Sequence, residues 1–192
     1  TQTNFPVLIK IDGDTDIGSK CQTNCNDLLF TAADGTTKLA HEIEKCTVSS
    51  GALTAWIWVK VPSLFTNTDI YIYYGNSSAS DQENVNAVWD SNYVMVQHLD
   101  ETTKLAGDYN DHLDSTQNIN HLEAYLTPET NMDAIGQVNG ADDLDGSDDY
   151  EAAPDSTSLS VTGSLTLEAW VKPSALDTEQ TILGKWDETS GT

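Results

Sequence analysis

The feature that most constrains this chain is the repeated alternation of short apolar runs with Gly, Asn and Asp turns. Leu165-Thr166-Leu167-Glu168-Ala169-Trp170-Val171-Lys172 alternates with period two and is closed by Pro173, the pattern of a strand with one buried face. Phe5-Pro6-Val7-Leu8-Ile9-Lys10-Ile11 is a second such run, stopped by Asp12-Gly13-Asp14. Leu28-Leu29-Phe30-Thr31 leads into Ala33-Asp34-Gly35-Thr36, where Asp-Gly predicts a hairpin turn. His41 to Glu44, Leu53 to Val61 and Ile70 to Tyr74 continue the extended pattern, and Val94 to Glu101 reads as a strand ending in the acidic pair Asp100-Glu101. Only Ser80 to Val88 reads as a short helix, and there are no heptads or tandem repeats. Short strands at this spacing predict an all-β chain of sandwich or barrel type rather than βαβ units.

The 192 residues are enough for one or two domains with a real core. Asn76 to Asn92 is small, polar and rich in Asn and Ser, and is expected to join two units, residues 1–90 and 91–192. A further polar stretch, Gly107 to Asn139, predicts a long loop with isolated strand segments. The charge is lopsided: 31 Asp and Glu against 8 Lys and Arg, a formal net charge of −23. Nucleic acid and anionic lipid both require clustered cations, so neither is an expected partner. No apolar run is long enough to cross a bilayer as a helix. Thr1 follows no initiator Met and no leader is visible, which reads as a mature or excised product.

Cys21, Cys25 and Cys46 sit without a second Cys pair or a His at zinc-finger spacing. A disulfide in an exported protein is the better reading, between Cys21 and Cys25 or from either to Cys46. The odd cysteine is then either buried and free or a link between chains.

Two resemblances organise the rest. Asn4-Phe5-Pro6-Val7-Leu8-Ile9, Asp27 to Gly35, His41-Glu42-Ile43-Glu44, Trp58 to Leu64 and Ile72-Tyr73-Tyr74-Gly75-Asn76 occur in this order. Residues 1 to about 90 thereby resemble an uncharacterised extracellular domain family of unknown function that often precedes a LamG-like jelly roll in large surface proteins. In the second half, Val94 to Glu101, Leu144-Asp145-Gly146-Ser147-Asp148-Asp149-Tyr150 and Leu165 to Pro173 resemble the opening half of a LamG-like, concanavalin A-like lectin/glucanase jelly roll. The first family usually begins one strand earlier, and the second has several strands after the point where this chain stops, so the second module is expected to be incomplete. The resemblance also implies a structural Ca²⁺ in the second half, with Asp100 and Asp114 as its first candidates and Asp108 and Asp111 nearby.

Among candidate sites, Trp56, Trp58 and Lys60 share one face of their strand, opposite Ala55, Ile57, Val59 and Val61. If that strand pairs with the next as a hairpin, Trp56, Trp58, Tyr71 and Tyr73 form a platform for stacking on sugar rings. The competing reading, favoured because Trp and Tyr are highly buried on average, buries both faces, one against the second sheet and one against the neighbouring domain. Asp12-Gly13-Asp14-Thr15-Asp16 has its Gly one position late for an EF-hand, and Thr23 stands where the bidentate Glu belongs, so a solvated acidic turn is expected. No nucleophile motif, zincin spacing or paired-carboxylate signature stands out. His98 reads as a strand residue, His112 and His121 as loop residues.

These observations lead to an all-β chain of two tandem sandwich modules and no enzyme. The expected role is that of an extracellular, cell-surface structural or adhesive protein whose partners are neighbouring copies of itself or other surface proteins; one form of it is a filament subunit in which neighbouring copies complete the open sandwich by donating strands. The rival role is a carbohydrate-binding module of a larger secreted enzyme, with polysaccharide as partner.

Overall fold

The computed structural model describes residues 1–104, 110–125, 131–132, 134–176 and 179–185. It is all-β: strands in several antiparallel sheets, with only single-turn helices among the described residues.

Residues 1–75 form two layers. The first sheet has the order β1-β5-β4, with β1 spanning Gln2–Asp14, β4 His41–Ser49 and β5 Ala52–Leu64. The second has the order β3-β2-β6, with β2 at Leu29–Ala32, β3 at Lys38–Leu39 and β6 at Ile70–Tyr73. β5 sits in the middle of its sheet because it alternates cleanly. Leu53, Ala55, Ile57, Val59 and Val61 are buried on its inner face, and Trp56, Trp58 and Lys60 point the other way. The inner face meets Leu28, Phe30 and Leu39 of the opposite sheet, with Ile9, Ile11, Ile70 and Ile72 at the margins. The two prolines respect the ladder: Pro6 lies on the edge strand β1, and Pro62 lies beyond the last β4 partner of β5, which is Val59.

Three turns fix this unit. β4 and β5 are joined by Ser50-Gly51, both at positive φ (52° and 76°), the two-residue connection whose twist matches paired strands. Asp34-Gly35 turns β2 into β3, as the sequence predicts, with Asp34 Oδ1 accepting from Thr36 N at 2.9 Å and Thr37 N at 2.8 Å. Asp27 is the third device. It is buried, and its carboxylate accepts from Gln22 N (2.8 Å), Gly75 N (2.6 Å) and Asn76 N (3.0 Å), so the Asp27 and Gly75-Asn76 motifs are two halves of one clamp. The acidic run after β1 is a helix start: Asp14 caps the single turn α1, Thr15–Gly18, through Ile17 N at 2.8 Å. A Cβ on Gly18 would fall 2.3 Å from Leu53 N, so that contact between α1 and β5 admits only glycine.

One disulfide joins Cys25 to Cys46 with a Cα separation of 6.2 Å, and Cys21 is free. Of the pairings open in the sequence, this one ties the loop before β2 to the middle of β4.

The helix expected over residues 80–88 is confined to α2, Val85–Val88. Beyond it the strands are fragmentary: β7 (Glu123–Tyr125) pairs with β10 (Tyr150–Ala152), and β8 (Ala134–Ile135) with β9 (Gly140–Ala141). The strand expected over Val94–Glu101 is reduced to a single bridge, Gln97 to Asp114. The strand expected over Leu165–Lys172 is unpaired, with Leu165, Leu167, Trp170 and Val171 all exposed. Its alternation is intact, but a ladder requires a partner for the backbone N–H and C=O groups, and none of the described residues supplies one.

Candidate functional site

The outer face of the first sheet is where the two halves of the chain meet. β4 carries a bulge between Ile43 and Lys45, and the extra residue is Glu44. Bulges re-aim side chains. Alternation puts Glu44 on the same outer face as Glu42, beside Trp58, the β5 residue opposite Glu42, and the bulge lets Lys45 follow on that face opposite Trp56. Trp58 Nε1 donates to Glu44 Oε2 at 2.7 Å, and Trp89 Nε1 donates to Glu42 Oε2 at 2.6 Å. Ser115 Oγ donates to Glu42 Oε1 at 2.5 Å. His98 lies between the two carboxylates, Nε2 3.2 Å from Glu42 Oε2 and Nδ1 3.2 Å from Glu44 Oε2. Its ring is layered on Trp58 and packs against Trp89, which in turn meets Tyr93 edge-on.

Burial alone would lower the His98 pKa, but Glu42 and Glu44 outweigh it and raise it to about 10. The group is therefore an imidazolium at neutral pH, and the cluster is a buried ion-pair clamp between β4 and the segment after α2, in which His98 Nε2 faces Glu42 without an aligned hydrogen bond. Because the folded pKa lies above the ordinary value of about 6.5, its stabilisation is complete below pH ~6.5 and is lost as pH rises toward 10. We expect the urea midpoint to fall between pH 7 and 10, and a His98→Gln chain to show a flatter profile. Parallel profiles for the two chains would refute the assignment.

A second imidazole stands deeper in the second half. His112 is fully buried, on a bridge to Leu122. Its Nδ1 lies 2.8 Å from Glu101 Oε2, while Glu101 Oε1 accepts from Leu113 N at 2.8 Å. On the other side, Nε2 lies 2.7 Å from Asp142 Oδ2. The contact is out of line for a hydrogen bond, and neither Nε2 nor either oxygen of Asp142 has a hydrogen-bond partner. Glu151, on β10, completes a group with His112 and Asp142 whose ligand atoms all lie within 4.8 Å of one another. Burial, and then the Asp142 carboxylate, push the Glu151 pKa upward. The His112 pKa is lowered by burial, but Asp142 and Glu101 more than reverse that.

Of the candidate ligand and metal residues singled out in the sequence, only Trp58 belongs to these two clusters. β5 and β6 do not pair; they belong to different sheets, so Trp56, Trp58, Tyr71 and Tyr73 make no common platform. Trp58 is spent on the Glu44 and His98 contacts, and Trp56 is flanked by the ammonium groups of Lys10 and Lys45. Tyr71 and Tyr73 remain exposed on β6, with Tyr73 Oη donating to Gly35 O at 3.2 Å. Asp114 is buried and fully occupied: Oδ1 accepts from Val96 N and Thr116 N, and Oδ2 from Thr116 Oγ1 and Asn120 N. That leaves no lone pair for an ion, and Asp100, half-buried and accepting from Asn139 Nδ2 at 3.1 Å, does not join Asp114 in any cluster of ligand atoms among the described residues. Asp111 accepts from Ala124 N, and Asp108 lies outside the described residues. Of the three cysteines, Cys25 and Cys46 are bonded and Cys21 is half-buried against the core.

The matched family is the last observation. Residues 24–116 match the family described as Domain of unknown function (DUF2341). No curated protein and no solved structure matches the chain. The DUF2341 match takes in β2 to β6, the disulfide and the Glu42–His98–Glu44 clamp, and it runs on through His112, Asp114 and Ser115. Asp142 and Glu151 lie outside the DUF2341 match.

Proposed function

We propose that this chain is a non-enzymatic structural or adhesive module of an extracellular, cell-surface protein, in which Leu165–Val171 pairs as a β-strand with a neighbouring copy of the chain. The carrying observation is that segment itself: alternating, closed by Pro173, unpaired, and exposing Leu165, Leu167, Trp170 and Val171. Free edges with an apolar stripe are templates for strand addition, where main-chain bonds supply affinity and alternate side chains supply specificity. The Cys25–Cys46 disulfide supports an oxidising compartment. The best-placed acids support a binding or structural role, since Glu42 and Glu44 are committed to Trp89, Ser115 and Trp58. The LamG-like character of the second half rests on the sequence motifs quoted above, and a structural Ca²⁺ belongs to the same proposal with ligands other than Asp114, whose oxygens are occupied.

Light scattering after size exclusion, in Ca²⁺ buffer, tests the assembly. Ordered polymers that are lost in Leu167→Asp are the expected result. A monomer that binds polysaccharide through Tyr71 and Tyr73 would replace this reading with a carbohydrate-binding module.

A further inference from the structure

We propose that His112, Asp142 and Glu151 form a binding site for a divalent transition-metal cation of the zinc class, with Glu101 as the residue that orients the imidazole. The three come from separate segments: His112 from the bridge to Leu122, Asp142 just after β9, and Glu151 from β10 opposite Ala124.

Three independent observations converge. The first is orientation. His112 Nδ1 is held at 2.8 Å by Glu101 Oε2, the arrangement in which a metal-binding histidine gives its other N–H to a carboxylate and turns a lone pair outward. The second is satisfaction. His112 is fully buried and the Asp142 side chain is 2% exposed, yet His112 Nε2 and both Asp142 oxygens lack hydrogen bonds although Nε2 and Oδ2 stand 2.7 Å apart. Buried polar atoms are almost always paired, and lone-pair-bearing atoms that face each other without a hydrogen bond point to a shared electrophile. The third is charge. Glu101, Asp142 and Glu151 surround one imidazole, and the only ion pairs recorded here among the described residues are between His112 and its own acids. Carboxylates crowded together away from water are costly, and a dication offsets that cost for all of them together.

The span also fits. Bonds of about 2.1 Å in a tetrahedral site separate ligand atoms by roughly 3.4 Å; the ligand atoms here lie within 4.8 Å of one another, and the closest pair, His112 Nε2 and Asp142 Oδ2 at 2.7 Å, opens by a fraction of an ångström to admit the ion. The donor set selects the class. Ca²⁺ takes oxygen ligands, about six to eight of them, whereas imidazole favours zinc and its neighbours. The exposed group Asp145, Asp148 and Asp149 lacks this second line of support: Asp145 Oδ1 and Asp149 Oδ2 accept from backbone N–H groups of their own turn.

The test is calorimetric titration of the chelator-treated 192-residue chain with Zn²⁺, with Co²⁺ absorption as a spectroscopic check and Ca²⁺ as competitor. One equivalent should bind, with excess Ca²⁺ failing to displace it. Glu151→Gln and Asp142→Asn should weaken binding at least tenfold, and Glu101→Gln by about ten- to a hundredfold, as outer-shell losses do. If a variant fails to fold, the Nε2 nitrogen resonance of His112 in the unaltered chain decides: a shift on adding one equivalent of Zn²⁺ upholds the site. No stoichiometric binding, equal affinity in all variants, displacement by Ca²⁺, or an unmoved His112 resonance would each overturn it.

Discussion

Replacing Trp89 by Ala should destabilise the chain by about 3–5 kcal/mol, the cost of emptying a buried aromatic site. Trp89 is only 6% exposed and its ring meets Trp58 at 5.3 Å, His98 at 6.0 Å and Tyr93 at 5.1 Å. Truncation removes that packing together with the donor to Glu42 Oε2. Trp89→Phe separates the two contributions. It keeps an aromatic ring but loses the N–H together with part of the indole, for which about 1–3 kcal/mol is expected, chiefly because a buried carboxylate then lacks one partner. The urea midpoints of the two variants should therefore be clearly resolved, with Ala the lower. Packing, rather than the hydrogen bond, is the larger effect. An Ala variant within 1 kcal/mol of the unaltered chain, by the order-of-magnitude scale for surface changes, would mean that Trp89 does not join the two halves.

The second large effect is the disulfide. Cys25 and Cys46 are 21 residues apart, and closing a loop of that length in the unfolded chain is worth about 3 kcal/mol. For a chain of this size that corresponds to a fall in Tm of roughly 6–12 °C on reduction or in Cys25→Ser. Cys21→Ser is the internal control. Burial pushes the Cys21 thiol pKa up, and the residue closes no loop, so its loss should move Tm by a few degrees at most. Equal effects at Cys21 and Cys25 would contradict the pairing.

Much of the first unit was legible because its signals are local. The alternation of β5 separated Ile57 and Val59 from Trp56 and Trp58 onto opposite faces, and Asp34-Gly35 marked its turn. The aromatic platform failed for a topological reason: neighbouring strands in sequence need not be neighbours in a sheet, and β5 and β6 go to opposite layers. The two histidine clusters were hidden for another. Glu42 meets His98 and Ser115, and His112 meets Asp142, across long stretches of chain that no spacing rule encodes. The one local hint was Glu42 and Glu44, two residues apart and so on one face of a strand whose partner carries Trp58; the bulge between Ile43 and Lys45 leaves no mark in composition. Leu165–Lys172 shows the limit of pattern from the other side, since its period is that of a strand whereas its pairing depends on a partner the pattern cannot name.

Pairing of Leu165–Val171 with a neighbouring chain can be read by amide hydrogen exchange across this segment in dilute and concentrated solution. Rapid exchange at low concentration, giving way to alternating protection on assembly while β5 is protected throughout, is the predicted result. Protection that is the same at every concentration, or absent from assembled material, would contradict it.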